Sequence, residues 1–483
     1  MLMSGRAIAF AVTFFVPAVL ARIFSQTEFG TYKQFYLITY TLFGLGQLGL
    51  AECLFYFLPA DPSNAGRYAF NSLVMLGIIG LMFSAGILVN SSTIAVLLSN
   101  PHLGDYLPLA SLTVILMLMG TVLEITMICR KRFKLATVTY ASSDVLRAAF
   151  LIVPGLLTRN LRWTLVGAIV FCFLRVITIL GYFRSEFRDS LKFDRNLLRN
   201  QIHYALPFFL SVIVQIVQQN YHQYAVSFHF DAATFAIYSV GCLQIPLVDF
   251  LSTPASNVMM VQMGEHLRDD RRHRLLAVWH DTTRKLSFVF FPLVALLIVS
   301  ASPLITLLFT KAYAASIPIF MVWSLSVLFA AFQTDGVLRV FAENRWLFFQ
   351  NIVRLVFTVV LMGWFLSTFQ LMGAVFVTLL GMSISKGLAL VRTKRLLQAT
   401  FSQMLPWRHL GMTVLVCMMA ALPAALLNAK LDLPPLLLLP ISGMTFAIVY
   451  SILVLAFGML TEGEKQALWL PVAKLRGQFA KSI

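Results

Sequence analysis

Charge is what this chain has least of. Only 12% of its 483 residues are Asp, Glu, Lys or Arg, while 59% are hydrophobic; soluble domains carry about 25% charged residues. That deficit excludes the string of soluble domains which the length alone would allow. Cysteine is scarce as well. Cys53, Cys129, Cys172, Cys242 and Cys417 lie far apart, in or beside apolar runs, with no C-x-x-C pair, so neither a disulfide framework nor a zinc site is indicated. Acidic side chains number 20 against 37 basic ones, for a net charge of +17. Such a balance often means nucleic acid, but here the bases fall between apolar runs instead of in one stripe, which argues against that partner. No P-loop, nucleophile elbow or H-E-x-x-H occurs, and the adjacent acids Asp269 and Asp270 sit among arginines that would neutralise them. ATP bound to this chain is therefore excluded as an energy source, no cofactor is implied, and the paired carboxylates of a metal-dependent sugar transferase are missing.

What is present is a series of long apolar runs. A helix needs about 20 residues to cross about 30 Å of hydrocarbon. About fourteen runs reach that length, at 6–24, 34–58, 68–90, 106–128, 135–157, 163–183, 204–228, 233–260, 284–309, 317–341, 347–366, 371–391, 409–428 and 434–459. The fold class expected is an all-α integral membrane protein. The first run resembles a signal peptide, with Arg6 before it and Val19-Leu20-Ala21 at its end, but it is taken as part of the fold because the segment just after it recurs later in the chain. Numbering the connections alternately from an inside N-terminus places 26 of the 37 bases inside and six outside, the six being Arg22, Lys33, Arg159, Arg162, Lys311 and Lys430. Both termini are then cytoplasmic. Outside connections reach only about fifteen residues, from Ser91 to Asp105, too few for a folded domain. The basic inside segments near 184–203 and 262–283 read as short surface helices against anionic membrane lipids, or simply as topology signals.

The chain resembles itself. FSQTEFGTY, from Phe24 to Tyr32, matches FDAATFAIY, from Phe230 to Tyr238; Tyr106-Leu-Pro-Leu109 matches Ser316-Ile-Pro-Ile319; and Asp144-Val-Leu-Arg147 matches Asn351-Ile-Val-Arg354, all at offsets of 206 to 210. The reading is two six-helix lobes, 1–200 (spans 1–6) and 201–398 (spans 7–12), followed by 399–483 with two additional spans and a cytoplasmic tail. An even number of spans per lobe gives a parallel repeat with a cleft between lobes.

These residues carry a family resemblance. LARIFSQTEFGTY, followed by an apolar span with Gly46-Gln47-Leu48-Gly49-Leu50, resembles the N-terminal signature of bacterial oligosaccharide flippases of the Wzx type. Their superfamily also holds multidrug exporters of the MATE type and the lipid II flippase. KFDRNLLRNQIHYALPFFLS leading into FAIYSVG, with Pro207 and Tyr238, resembles the start of that family's C-terminal lobe. Ala236 stands where the family prefers Gly, and His222 where many members carry an acid, so no ion-coupling site is carried over to that position. The resemblance implies a flippase of the bacterial inner membrane that moves a polyprenyl-pyrophosphate-linked oligosaccharide for cell-surface polysaccharide biosynthesis. Its partners would be the lipid-linked glycan, membrane lipids and polysaccharide assembly proteins. A MATE-like exporter of small amphipathic cations and, further off, a membrane glycosyltransferase or polymerase are the competing readings; residues 7–21 contain no charge, which disfavours the exporter.

An ionisable residue near a bilayer centre costs about 2.5–3.5 kcal/mol on insertion scales, so it should face water or a partner. Asp144 and Arg147, three apart, read as an ion pair or as part of a polar stripe. Arg175 has no acidic neighbour in sequence and so needs a partner on another helix or a wet cavity. Arg354 matches Arg147 but has Asn351 where Asp144 stands, which suggests an anion-facing charge. Arg339 and Lys386, near span ends, read as structural. Ser211, Gln215, Gln218 and His222 recur at helical spacing on the seventh span with Gln219 beside them, as substrate amides or as interhelical glue. Asp249 on the eighth span and Tyr36, Tyr40, Gln47 and Glu52 on the second complete the candidate binding set. Amides and tyrosines suit sugar hydroxyls, and arginine suits pyrophosphate. Pro17, Pro207, Pro246 and Pro254 interrupt spans and allow bending.

The split of bases makes the topology testable. Reporter fusions after Lys134, after Leu267 and at the C-terminus should report cytoplasm, and those after Asn100 and Lys430 the outside; a C-terminus reporting the outside would remove both the fourteen-span reading and the parallel repeat.

Overall fold

The computed structural model describes residues 14–460, apart from the side chains at positions 189, 207, 208, 210 and 211. The start of the first expected span with Arg6, and the tail with Lys465, Lys474, Arg476 and Lys481, lie outside the described residues. Every regular element among the described residues is helical. In chain order these are α1 Phe14–Ile23, α2 Gln26–Gly46, α3 Ala65–Val89, α4 Pro101–Cys129, α5 Phe133–Thr158, α6 Leu161–Phe187, α7 Arg195–His229, α8 Ala232–Gly241, α9 Pro246–Arg268, α10 Arg272–Val299, α11 Lys311–Val340, α12 Asn344–Leu396, α13 Trp407–Lys430 and α14 Pro435–Ala456. Nine of them are long and apolar enough to cross a membrane, ten if α8 and α9 form one bent span. α12 is 53 residues long and doubles back at Gln370 (φ 52°, ψ −136°), which yields the two spans expected at 347–366 and 371–391. α1, α2 and α7 bring the count to the expected fourteen. α2 and α7 fall short in apolarity because they carry polar side chains such as Lys33, Gln34, Gln218 and His222.

Two expectations need correction. The second span does not run from 34 to 58. Ser25 caps α2 with a capping box to Glu28, so the helix starts at Gln26; it ends at Gly46, where Leu48 (φ 48°) and Gly49 (φ 70°) take left-handed backbone before a short helix, Leu54–Ala60. Lys33 therefore lies within the helix and not in an outside connection. The basic segments do not form separate surface helices either. The Asp194 side chain accepts from the Asn196 and Leu197 amides, which starts α7 at Arg195 and makes Arg195 and Arg199 its first turns. α9 likewise runs on to Arg268.

The chain packs as two compact units, one of Met1–Pro246, Leu308–Trp323 and Asn344–Ser385, the other of Leu247–Leu307, Ser324–Glu343 and Lys386–Ile483. This grouping by packing is distinct from the lobes at 1–200 and 201–398, which we retain as a proposal about the repeat.

In the first unit the repeat is visible in local structure. Ser25 and Asp231, 206 apart, are the N-caps of α2 and α8. Phe29, Phe235 and Tyr238 are fully buried and Tyr32 nearly so. A six-residue 3₁₀ turn with a following proline opens both Leu107–Gly120 and Ile317–Ser324, at Pro101–Tyr106 and Lys311–Ser316. The two matched helix starts also pack on each other: Gly30 lies so close to Ala232 that a Cβ there would overlap its carbonyl. The connections segregate. Arg22 donates to Leu308 O (3.2 Å), Gln26 to Ala312 O (2.6 Å) and Ser99 to Phe228 O (2.9 Å), drawing connections of the outside set together. Arg67 meets Asp194 (3.4 Å), and Arg132 meets Glu186 (2.6 Å), drawing together those of the inside set. Alternation of spans requires this sorting.

The second unit is built around fully buried Trp279, whose Nε1 donates to Met404 O at 2.8 Å, with Met259, Met263 and Val337 in the same core. Lys386 is held by Asp335 (3.4 Å) and Thr334 (3.3 Å), the structural role read from its position.

The α2–α8 contact gives a direct test. Gly30→Ala should lower the thermal midpoint of the purified protein, since forced overpacking costs about 1–3 kcal/mol. Gly86→Ala, where an added Cβ meets nothing within 4 Å, should leave the midpoint unchanged or raise it. Equal midpoints in both variants would mean that the α2–α8 approach is looser than described.

Candidate functional site

Helix spacing turns the start of α2 into a wall. Tyr32, Tyr36 and Tyr40 recur every four residues and so share one face, with ring centroids 4.8 Å and 5.3 Å apart. Lys33 stands beside them with its ammonium 5.4 Å from the Phe29 ring centroid. Opposite, α5 presents Asp144 and Arg147, paired at 3.1 Å, and α7 presents Asn220 and Gln223. These side chains, with Ser239 and Gln244, line a cavity of about 470 Å³. A second, of about 450 Å³, shares Tyr36, Tyr40, Asp144 and Arg147 and extends to Glu52, Thr121, Glu124, Tyr140, Ser143 and Arg175. Both lie wholly within the first unit.

Arg175 on α6 finds its partner across the helix bundle. Nη2 meets Glu124 Oε2 of α4 at 2.5 Å, Nη1 donates to Ser143 Oγ of α5 at 2.9 Å, and Nε donates to Gly120 O at 3.2 Å. Glu124 is only 2% exposed. The charged residues around the two adjoining cavities are Lys33, Arg147 and Arg175 against Glu52, Glu124 and Asp144. Three of each sign make a balanced wall, not the basic cleft that the arginines suggested. Such a wall suits a ligand with hydroxyls and its own charged head, which can exchange internal partners for contacts of its own.

Of the residues singled out from sequence, Tyr40, Asp144, Arg147, Glu52 and Arg175 are brought together here, and Tyr36 with them. The seventh-span stripe is not. Gln218 is buried and donates to the Asn351 carbonyl. His222 is buried, with Nδ1 2.7 Å from the Tyr238 hydroxyl and its ring 5.1 Å from that of Trp323. These are interhelical contacts. At about 100° per residue, Asn220 and Gln223 fall on the opposite face of α7, and that face meets the cavity. Gln215 and Gln219 are exposed and line neither cavity, and Gln47 lies just past the end of α2. The Ser211 side chain lies outside the described ones. Asp249 is exposed in the first turn of α9, in the second unit. Arg354 is half-buried beside Gly381, lines neither cavity and has interactions of its own, so it is not the bare charge that Asn351 implied.

Sequence reasoning missed Lys33, Glu124, Asn220 and Gln223. The Ser25-x-x-Glu28 box marks the start of α2 and with it the place of Lys33. Glu124 is the lone charged residue from Leu107 to Cys129, which itself flags a site in a membrane helix.

The fold is shared with solved transporters. The lipid II flippase MurJ in an inward closed conformation is 13% identical, covers 93% of this chain and 98% of its own, and superposes with a TM-score of 0.75. An inward-facing multidrug resistance transporter of the MATE family, in the MOP superfamily, is 15% identical over 82% of this chain and 94% of its own, with a TM-score of 0.61. A MOP superfamily transporter from Pyrococcus furiosus, described as having a binding pocket of reversed polarity, is 12% identical over 83% and 95%, with a TM-score of 0.54. No curated protein sequence matches the chain. The family model described as polysaccharide biosynthesis protein matches residues 19–318, more than half of the chain, which bears out the resemblance read from the sequence: this multi-pass membrane protein belongs to the polysaccharide biosynthesis protein family.

Proposed function

We propose that the chain is a flippase of the bacterial inner membrane, carrying a polyprenyl-pyrophosphate-linked oligosaccharide from the cytoplasmic to the outer leaflet. The observation that carries this reading is the pair of adjoining cavities, lined by six ionisable side chains, inside a membrane-spanning unit. The barrier to flipping such a lipid is desolvation of its phosphates and hydroxyls. In this reading Arg147 and Arg175 take phosphate oxygens, while Tyr36, Tyr40, Asn220 and Gln223 take sugar hydroxyls. No covalent bond changes; alternating access to the two leaflets suffices. Gln218 and His222 hold helices together and do not contact substrate. The three carboxylates of the wall support a second reading, an exporter of small amphipathic cations, since they would pair with such a cargo.

One reconstitution separates the readings. In liposomes holding the purified protein, labelled lipid-linked oligosaccharide should become open to an external sugar-modifying reagent with its mass unchanged. A chemically altered lipid would favour an enzyme, and movement of a cationic dye with the lipid left inside would favour the exporter.

The same assay tests the wall. Arg147→Ala should slow flipping tenfold or more, because a hydrogen bond to a charged group contributes about 1.5–3 kcal/mol. Adding Asp144→Asn should restore the amount of folded protein, by removing the stranded carboxylate, without restoring the rate. Recovery of both would make the pair purely structural.

A further inference from the structure

The three bases of the wall are not alike. Arg147 and Arg175 each have a carboxylate, Asp144 at 3.1 Å and Glu124 at 2.5 Å. Lys33 has none: among the described residues its ammonium meets only the face of the Phe29 ring, 5.4 Å from the centroid. Its surroundings hold no acid in reserve. Among the described residues lining the first cavity the single carboxylate is that of Asp144, already held by Arg147. Glu28 closes the capping box with Ser25, and Asp231 caps α8 by accepting from the Thr234 amide at 3.0 Å. The chain from Met1 to Ile23 and the whole of α7 contain no Asp or Glu.

The company that Lys33 keeps suits a sugar. Tyr32, Tyr36 and Tyr40 stand along the same cavity, with Asn220 and Gln223 opposite. Aromatic faces take the apolar C–H face of a pyranose, while phenols and amides take its hydroxyls. The guanidinium groups suited to phosphate, Arg147 and Arg175, come together at the second cavity, which Lys33 does not line. An ammonium is a point charge with three N–H donors. Set among groups for hydroxyls and without an internal acid, it calls for a ligand group that is anionic and is borne by the sugar itself.

We infer that the glycan carried by this chain includes an acidic sugar, a pyranose bearing a carboxylate, and that Lys33 is the residue that selects it. The inference rests on the flippase reading proposed for this chain and narrows its substrate. The sugar carboxylate accepts from Lys33 Nζ, the Phe29 ring stays behind the ammonium, and no covalent bond changes. A sugar with a hydroxymethyl group in place of the carboxylate leaves the ammonium without a counter-charge, so a neutral glycan is handled at a loss.

Two polyprenyl-pyrophosphate-linked disaccharides, one ending in glucuronic acid and the other in glucose, test this in liposomes holding the purified full-length protein, with flipping read by periodate added outside. Wild type should move the acidic lipid at least about tenfold faster than the neutral one at equal, subsaturating concentration. Lys33→Met should abolish that preference by slowing the acidic lipid alone, and Lys33→Arg should keep it. Lys33→Gln repeats the measurement if Lys33→Met fails to fold. Equal rates for the two lipids in wild type, or a preference that survives in the uncharged variant, overturns the acidic-sugar role while leaving the flippase reading intact. Slowing of both lipids alike by the uncharged variant also overturns it and gives Lys33 to the pyrophosphate. Movement of neither lipid by wild type overturns the flippase reading, and the acidic sugar with it.

Discussion

Charge matched inside an apolar medium is the constraint on which the first unit depends. Arg175 sits midway along α6, where exposure to hydrocarbon would cost a few kcal/mol for it alone, and Glu124 on α4 meets it at 2.5 Å with Ser143 of α5 completing the set. One ion pair thereby ties three helices. Breaking such a pair by removing one partner costs about 3–5 kcal/mol, more than most single changes, because it strands the other charge. The same matching lets such a cavity exist among spans at all: a wall of six ionisable groups is tolerable when bases and acids are equal in number. The residues that hold the first unit together are thus the same ones that line its cavities.

Much of the architecture was legible because membrane helices are dictated by length and apolarity, and both are properties of a segment alone. The same is true of the repeat: Ser25 and Asp231 cap their helices, and Pro108 and Pro318 follow 3₁₀ turns, through contacts within a few residues. Boundaries failed where a local signal was outweighed. The apolar run from 34 to 58 hides a break at Leu48 and Gly49, and the capping box that starts α2 lies outside that run.

The site was legible only in part, for a different reason. Asp144 and Arg147 are three apart on one helix, so spacing alone pairs them. Glu124 and Arg175 are 51 residues apart, and nothing in spacing joins them. On α7 the sequence shows a polar stripe but not which way it faces. Gln218 and His222 turn inward, where each finds a hydrogen-bond partner in Asn351 and Tyr238, and the less conspicuous Asn220 and Gln223 meet the cavity. Arg354 shows the limit of repeat symmetry: its position matches Arg147, yet it lines neither cavity.

The matched segments also meet through a buried polar network within the first unit. Fully buried Gln34 donates to Leu98 O and to Ser227 Oγ, both at 2.8 Å, and accepts from Asn100 at 2.6 Å. This network joins α2, the connection before α4 and the end of α7, one helical turn from the place where Gly30 lies against Ala232. Contacts of this kind are firm when dry and inexpensive to exchange: each hydrogen bond between neutral groups nets about 0.5–1.5 kcal/mol, because water can replace it, and a glycine pressed on a backbone gives up only dispersion when it parts. A closure built from large apolar side chains would lose far more on wetting, at about 25 cal/mol per Å² exposed. Where the matched segments touch, these polar and glycine contacts stand beside aromatic packing, with the Phe29 ring 6.5 Å from that of Phe309 and 5.8 Å from that of Tyr313, so this end of the first unit is held both by contacts that water can replace and by apolar packing that it cannot.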